Sequence, residues 1–217
     1  MGDFGTDSGI SFGREITRKL VHLSSLWMAA LIFFWRGEQI FLFYFFGACF
    51  ILNILCEHAY SLHVPVIRPV YGFLFGKMLR KDAPRGAWIV SGSPPVFAAA
   101  ALVSLLFPPF IAAVALGVML VADTAAALIG RRFGKHRLCG SKTLEGTLAF
   151  IAAGTAFALL LLLLAGELRP VMAAGALAGV VCAALAELYR DVIRLDDNLT
   201  IPLLCGAVMS AFYWSFC

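Results

Sequence analysis

Residues 110–146 read FIAAVALGVMLVADTAAALIGRRFGKHRLCGSKTLEG. The first part of this stretch, residues 110–130, is apolar and has the length of about twenty residues that an α-helix needs to cross a bilayer. Asp123 lies inside the apolar part, where a carboxylate is costly, and this position makes it a candidate for function. The stretch therefore predicts a membrane-spanning helix that carries one acid and ends in a basic loop.

The loop that follows, residues 131–146, is basic and rich in glycine. Its lysines and arginines are Arg131, Arg132, Lys135, Arg137 and Lys142. Such a loop is typical of a segment that fixes membrane topology and contacts anionic lipids. Glycines also let a backbone approach phosphate closely, and Gly-Ser-Lys-Thr at 140–143 offers amides, hydroxyls and an ammonium group. An acid beside such a loop is what a nucleotide–metal site needs, although the spacing of a P-loop is absent.

The composition of the chain excludes a soluble domain. Hydrophobic residues make up 61% of the 217 residues, charged residues make up 14%, and the mean hydropathy is +0.90. We expect an all-α, polytopic membrane helix bundle that forms one integral-membrane domain over residues 1–217, with a flexible tail at 1–13. The apolar runs predict about seven transmembrane helices, at residues 16–35, 40–56, 86–107, 110–130, 147–165, 170–188 and 199–216.

Two segments of this pattern are not simple spans. Residues 57–85 mix apolar and basic side chains, which predicts an amphipathic segment at the membrane interface. The sequence Ser-Gly-Ser-Pro-Pro at 91–95 lies inside the third predicted span, where we expect it to kink or break the helix.

The basic residues lie on one face of the predicted bundle. Seven spans place 15 of the 17 lysines and arginines on the side of the N-terminus, and only Arg36 and Arg169 on the other side. Because positive charge marks the cytoplasmic side, we expect a cytoplasmic N-terminus in a multi-pass protein, of the inner or plasma membrane if the protein is bacterial. The candidate polar groups, and so the active site, would then face the cytoplasm.

Acidic residues gather on the same face. Glu187 ends the sixth predicted span, and Asp196, Asp197 and Asn198 precede the seventh. An Asp or Asn followed by Pro202 is typical of a helix start, so each of the three is also a candidate helix cap. Carboxylates beside an amide are equally the groups that bind Mg²⁺ or take a proton from an alcohol.

Three further polar residues stand at the start of the first span. Arg18, Lys19 and His22 are candidates for binding phosphate, but they also fit a cytoplasmic anchor, which we favour for Lys19. His22 fits equally a structural, hydrogen-bonded histidine. Glu145 is expected either to hold the basic loop in shape or to be an acid at the start of the fifth span.

Four motifs carry a resemblance to a known family. They are Arg18-Lys19-Leu20-Val21-His22, the run Asp123-x-x-Ala-Ala-Leu-Ile-Gly130-Arg131-Arg132-Phe-Gly134, Gly140-Ser141-Lys142-Thr143-Leu144-Glu145-Gly146 and Asp196-Asp197-Asn198-Leu-Thr-Ile-Pro202. In this order the motifs resemble those of the CTP-dependent polyprenol and diacylglycerol kinases, which include dolichol kinase, phytol kinase and the fungal CTP-dependent diacylglycerol kinase. The four motifs extend over most of the chain. The chain is short, and it resembles only the catalytic half of dolichol kinase.

The resemblance implies an activity and a set of roles. The activity is Mg²⁺-dependent transfer of the γ-phosphoryl group of CTP to the hydroxyl of a membrane lipid alcohol. The implied catalytic residues are Asp123, Asp196 and Asp197. The implied metal ligands are Asp123, Asp196, Asn198 and Glu187. The implied nucleotide-binding residues are Gly130, Arg131, Gly134, Lys135, Gly140, Ser141, Lys142, Thr143, Glu145, Arg18, Lys19 and His22. The expected partners are CTP, the lipid alcohol and the bilayer, and no nucleic acid.

Two other functions stay open. The middle motif alone also resembles that of a phosphatidate cytidylyltransferase (CDP-diacylglycerol synthase), although that enzyme's His-Gly-Gly and Asp-Arg-x-Asp signature is absent. A small transporter or a membrane scaffold is more remote, because the polar groups crowd one interface instead of the bilayer midplane. The acceptor could be a dolichol-like polyprenol, a phytol-like alcohol or diacylglycerol, since each presents one hydroxyl on an apolar body.

Overall fold

The computed structural model describes residues 12–75, 92–140, 142–190 and 195–216. Within these ranges the chain is helical, and the β-structure is limited to an isolated bridge between Arg137 and Thr143. The helices are α1 (Phe12–Ser24), α2 (Leu26–Phe34), α3 (Gln39–Ser61), α4 (Ile67–Phe75), α5 (Ser93–Leu106), α6 (Pro109–Phe133), α7 (Leu144–Leu164), α8 (Pro170–Leu188) and α9 (Asp197–Phe216).

The helices make the chain a multi-pass membrane protein. Five stretches of the described ranges are long and apolar enough to cross a bilayer: Ile16–Phe34, Gln39–Ser61, Pro109–Phe133, Leu144–Leu164 and Pro170–Leu188. The third and seventh predicted spans correspond to α5, a shorter apolar helix, and to α9. The all-α class is therefore confirmed, while the count of seven spans and the orientation stay predictions.

Helix α6 is the centre of the bundle. Its side chains from Ile111 to Leu116 are fully buried, and α2, α5, α7 and α9 pack around it together with α1. Small residues make this packing possible, because they let neighbouring helices approach closely in a membrane. A Cβ atom at Gly117 would lie 2.1 Å from the ring of Phe157 on α7. The apolar run that predicts a membrane span is thus also the core of the fold.

The segment predicted at the interface begins later than expected. Helix α3 continues to Ser61, so residues 57–61 belong to a long candidate span. Glu57 is only 1% exposed and accepts a hydrogen bond of 3.1 Å from the hydroxyl of Tyr71 on α4. A carboxylate can be buried here because α4 packs against α3 and supplies a donor. Residues 76–85 of the predicted segment lie outside the described ranges.

The third predicted span is described only in part. Helix α5 begins at Ser93, with Pro94 and Pro95 in its first turn, so the two prolines lie at the start of this helix. Proline suits this position because the first amides of a helix have no acceptor inside the helix. Residues 86–91 of that span lie outside the described ranges. The first predicted span, residues 16–35, is divided, since α1 and α2 meet at Ser25.

Candidate functional site

The first element of the candidate site is a buried ion pair between α1 and α6. The side chain of Lys19 is 3% exposed, and its ammonium donates to Oδ2 of Asp123. Asp123 lies ten residues before the end of α6, so the pair is inside the bundle and not at its surface. His22 follows one turn after Lys19 on α1, and its Nε2 lies 3.5 Å from the same Oδ2. The interpretation of Lys19 as a cytoplasmic anchor did not include this buried pair with Asp123.

A second lysine–carboxylate pair lies beside the first. Lys142, from the loop before α7, donates to Oε1 of Glu187 in the last turn of α8. The Glu187 side chain is 4% exposed, whereas that of Lys142 is 27% exposed and so reaches the solvent. Asp123 interacts electrostatically with both Lys142 and Glu187. Two positive and two negative side chains are therefore coupled electrostatically, and we call them the paired-charge cluster (Lys19, Asp123, Lys142, Glu187).

The acids before α9 divide into two roles. Asp196 is exposed, and its Oδ1 accepts the backbone amide of Asn198 at 2.9 Å, as a helix cap does. Asp197 is turned toward the bundle: its side chain is 13% exposed, and Arg190 donates to its Oδ2 at 2.7 Å. Asp197 also interacts electrostatically with His22 and Glu187. Of the two adjacent acids, only Asp197 is thus coupled to the paired-charge cluster.

The basic loop, residues 134–143, is a closed turn. Arg137 and Thr143 form an antiparallel bridge, and the amides of Leu138 and Leu144 donate to the carbonyls of Lys142 and His136 at 3.0 and 2.8 Å. Gly140 has a φ of 55°, which glycine adopts without the strain that a Cβ would add. Ser141 lies outside the described residues. The turn brings Lys142 back to the bundle, where it meets Glu187.

Three glycines attach the loop to the helices. A Cβ at Gly130 would lie 3.0 Å from Oγ1 of Thr143, and one at Gly146 would lie 3.0 Å from the carbonyl oxygen of Ala126. A Cβ at Gly134 would approach the carbonyl of Gly130 to 2.2 Å. Thr143 caps α7, and its Oγ1 accepts the amide of Gly146 at 3.2 Å. These glycines therefore have a packing role, which is separate from the phosphate approach that the sequence suggested.

The loop and the last turn of α6 present basic groups to the solvent. Lys135 and Arg137 are exposed on the loop, and Arg131 and Arg132 are exposed on α6. Glu145 lies in the first turn of α7, and its Oε1 is 2.8 Å from Nδ1 of His136. The same oxygen accepts the backbone amide of His136 at 3.3 Å. Glu145 thus links the loop to α7, which is one of the two roles that its position suggested.

The predicted site residues are brought together only in part. Asp123, Lys19, His22, Lys142, Glu187 and Asp197 form one connected group at one end of the bundle. Asp196 and Asn198 belong to the start of α9, and the expected set of metal ligands is not assembled. Among the described residues, no three His, Cys, Asp or Glu side chains are close enough to hold a metal ion by themselves. Arg190 was not predicted as a site residue, because its position alone indicates only a cytoplasmic charge.

Comparison with known proteins gives one relative. A protein of Rickettsia prowazekii (strain Madrid E) named "Uncharacterized protein RP860" is 24% identical over 194 residues, which cover 88% of this chain and 91% of the relative. That name assigns the relative no activity. No family model matches the chain, and no solved structure matches it with statistical significance.

Proposed function

We propose that this chain is a lipid kinase that transfers the γ-phosphoryl group of CTP to the hydroxyl of a membrane lipid alcohol. The observation that carries the proposal is the paired-charge cluster, which lies at the end of an apolar bundle beside an exposed basic loop. Buried ionisable groups in a membrane bundle are costly and are typical of function. A soluble phosphate donor can reach the loop, while a lipid hydroxyl can reach the same end of the bundle from the bilayer.

The basic loop is the proposed binding site for the triphosphate. Lys135 is exposed on it, and Arg131 is exposed in the last turn of α6 next to it. Lys142 is partly exposed with its ammonium turned to Glu187. A triphosphate bound here would compete with Glu187 for Lys142, because both are anions that need the same donor. Charge-assisted hydrogen bonds from several bases would then position the nucleotide. The choice of CTP over ATP rests on the resemblance of the motifs.

The cluster also fits a magnesium ion that arrives with the nucleotide. Mg²⁺ in such sites keeps several waters and takes one or two protein carboxylates together with phosphate oxygens. Asp123 and Glu187 are the two carboxylates of the cluster, and they would hold such an ion together with phosphate oxygens. When bound, Mg²⁺ neutralises charge that develops on the transferred phosphoryl group.

Asp197 is the proposed acceptor of the proton from the lipid hydroxyl. Its carboxylate is largely buried and coupled to the cluster, whereas that of Asp196 is exposed and caps a helix. The hydroxyl oxygen forms a bond to the γ-phosphorus as the bond between that phosphorus and the leaving CDP oxygen breaks. The hydroxyl proton passes to Asp197, and the products are a lipid monophosphate and CDP.

The proposed orientation places the cluster at the cytoplasmic face. Its support is the distribution of basic residues, since Arg131, Lys142 and Arg190 all lie at this end and only Arg36 and Arg169 lie at the other predicted end. This orientation agrees with CTP as donor, because cytoplasmic nucleotide would have direct access to the loop.

Labelled CTP tests the reaction directly. Purified protein is incubated with Mg²⁺, a mixed lipid extract and CTP labelled at the γ-phosphate, and the reaction is repeated with label at the α-phosphate. A kinase transfers only the γ-label to lipid, and mass spectrometry of that lipid identifies the acceptor. Transfer of the α-label would instead establish a cytidylyltransferase, and no transfer of either label would refute the proposal. Counterflow of a solute in protein-containing liposomes would indicate a transporter.

A further inference from the structure

An open cavity lies at the end of the bundle opposite the paired-charge cluster. Its volume is about 540 Å³, which is within the usual range for a small-molecule site. Its lining includes Trp35, Arg36, Glu38, Ile40, Leu105 and Pro109. Pro109 and Asp123 are separated on α6 by roughly 21 Å, at 1.5 Å per residue. The cavity is therefore distinct from the candidate kinase site.

The turn between α2 and α3 builds one wall of this cavity. The indole of Trp35 donates to the carbonyl of Glu38 at 3.2 Å and stacks on Phe41 with the ring centroids 5.2 Å apart. The same ring lies over Gly37, where a Cβ would be 3.0 Å away. Trp35 thereby fixes a tight turn that presents the two charged side chains on either side of Gly37. Tryptophan is common at the depth of lipid headgroups, which agrees with the position of this turn.

The two charges of this turn have no ionic partner within the described ranges. Arg36 and Glu38 are exposed and do not pair with each other, although they are two residues apart. At the same end of the bundle Glu167 and Arg169 have the same spacing, and they do pair, at 2.6 Å. A separation of two residues in the chain therefore does not by itself prevent an ion pair. The conformation of the turn keeps Arg36 and Glu38 apart at the rim of the cavity.

An apolar wall accompanies the separated charges. Ile40 and Leu105 line the cavity together with Arg36 and Glu38. The amide oxygen of Gln39 is buried and so is not open to the cavity. The cavity therefore offers one cation, one anion and an apolar wall.

We propose that this cavity binds the headgroup of a phospholipid that carries a phosphate and a primary ammonium, namely phosphatidylethanolamine. The phosphate binds Arg36, the ammonium donates to Glu38, and the glycerol end lies against Ile40 and Leu105. A trimethylammonium headgroup has no N–H to donate, so phosphatidylcholine cannot form a hydrogen bond with Glu38. An anionic headgroup such as phosphatidylglycerol leaves Glu38 without a cation. The site thus selects for a primary amine beside a phosphate.

Native mass spectrometry of the purified chain in detergent tests this selectivity. The protein is titrated separately with dioleoyl phosphatidylethanolamine, phosphatidylcholine and phosphatidylglycerol, and the affinity of the first bound lipid is measured. We expect roughly tenfold tighter binding of the ethanolamine lipid, as one satisfied charged hydrogen bond gives. Equal affinities for the three lipids would overturn the proposal.

Two variants locate the site, and a matched variant is the control. Glu38→Gln should reduce the affinity for the ethanolamine lipid to that for the choline lipid. Arg36→Gln should weaken the binding of both lipids, because both carry the phosphate. Arg169→Gln removes the paired arginine of the same end of the bundle and should leave affinity and preference unchanged. Unchanged affinity for the ethanolamine lipid in Arg36→Gln, or an unchanged preference in Glu38→Gln, would refute the site. Soluble phosphoethanolamine is added in a further titration, and displacement of the lipid at equimolar concentration would show a soluble ligand and overturn the lipid assignment.

Discussion

Lys19 and Asp123, which are 104 residues apart in the chain, form an ion pair that is buried between α1 and α6. The pair changes what a substitution of Asp123 tests. Asn at position 123 leaves the Lys19 ammonium buried without its carboxylate, and an unpaired buried charge costs about 3–5 kcal/mol. We therefore expect Asp123→Asn to lower both activity and thermal stability in detergent. If Asp123 had no partner, the same substitution would lower only activity.

The double variant Lys19→Met with Asp123→Asn separates the two effects. It removes both charges, so thermal stability should return close to that of the parent protein while phosphorylation of lipid stays absent. Thermal unfolding followed by tryptophan fluorescence and the labelled-CTP assay give the two readouts. Recovery of activity together with stability would show that Asp123 serves only the fold.

Because Lys142 and Glu187 pair with each other, we expect substitutions of the two residues to have opposite effects on nucleotide binding. Lys142→Ala removes a proposed phosphate ligand, and we expect the KM for CTP to rise roughly tenfold or more. Glu187→Gln removes the competitor for Lys142, and we expect the KM for CTP to fall while the requirement for Mg²⁺ increases. Initial rates over a matrix of CTP and Mg²⁺ concentrations measure both effects. An identical KM in all three proteins would remove Lys142 from the nucleotide site.

Sequence alone was sufficient for the apolar framework of this fold. Helices α6, α7 and α8 begin and end within three residues of their predicted spans, because in hydrocarbon each backbone group must bond inside its own helix. Sequence was not sufficient where a distant element decides the outcome. The burial of Glu57 depends on Tyr71, and the burial of Lys19 depends on Asp123. The sequence did contain an indication of the partner of Asp123, since an acid inside an apolar helix needs a cationic partner.

The start of α9 predicts different results for its two acids. Asp196→Ser keeps a side chain that can cap the helix but removes the carboxylate, so we expect stability and activity close to those of the parent protein. Asp196→Ala loses the cap and should cost about 1 kcal/mol of stability. Asp197→Asn should abolish lipid phosphorylation, because the proposed proton acceptor is gone. Loss of activity in Asp196→Ser, with normal stability, would assign the base to Asp196 instead.

The hydrogen bond from Tyr71 to Glu57 predicts a loss of stability at high pH. Burial, and then the neighbouring carboxylate of Glu57, raise the pKa of Tyr71 well above its usual value. The folded protein therefore holds this proton more tightly than the unfolded chain, so the stabilisation is complete below about pH 10 and decreases above it. Tyr71→Phe should be less stable at pH 8 and should lose less stability between pH 9 and pH 11. Parallel pH profiles of thermal unfolding for the two proteins would contradict this role.

The contact of Gly146 with α6 makes the last prediction. A Cβ at Gly146 would lie 3.0 Å from the carbonyl oxygen of Ala126 and 3.3 Å from the Cα of Gly130, so alanine must push α7 away from α6. Lys142 lies in the loop that α7 anchors, and this movement would shift it relative to Glu187. We expect Gly146→Ala to be less stable and to have a higher KM for CTP. Gly47→Ala is the matched control, because a Cβ there meets nothing within 4 Å, and it should neither lower the stability nor raise the KM. If Gly146→Ala lost stability without any change in KM, the glycine would pack the helices without positioning the loop.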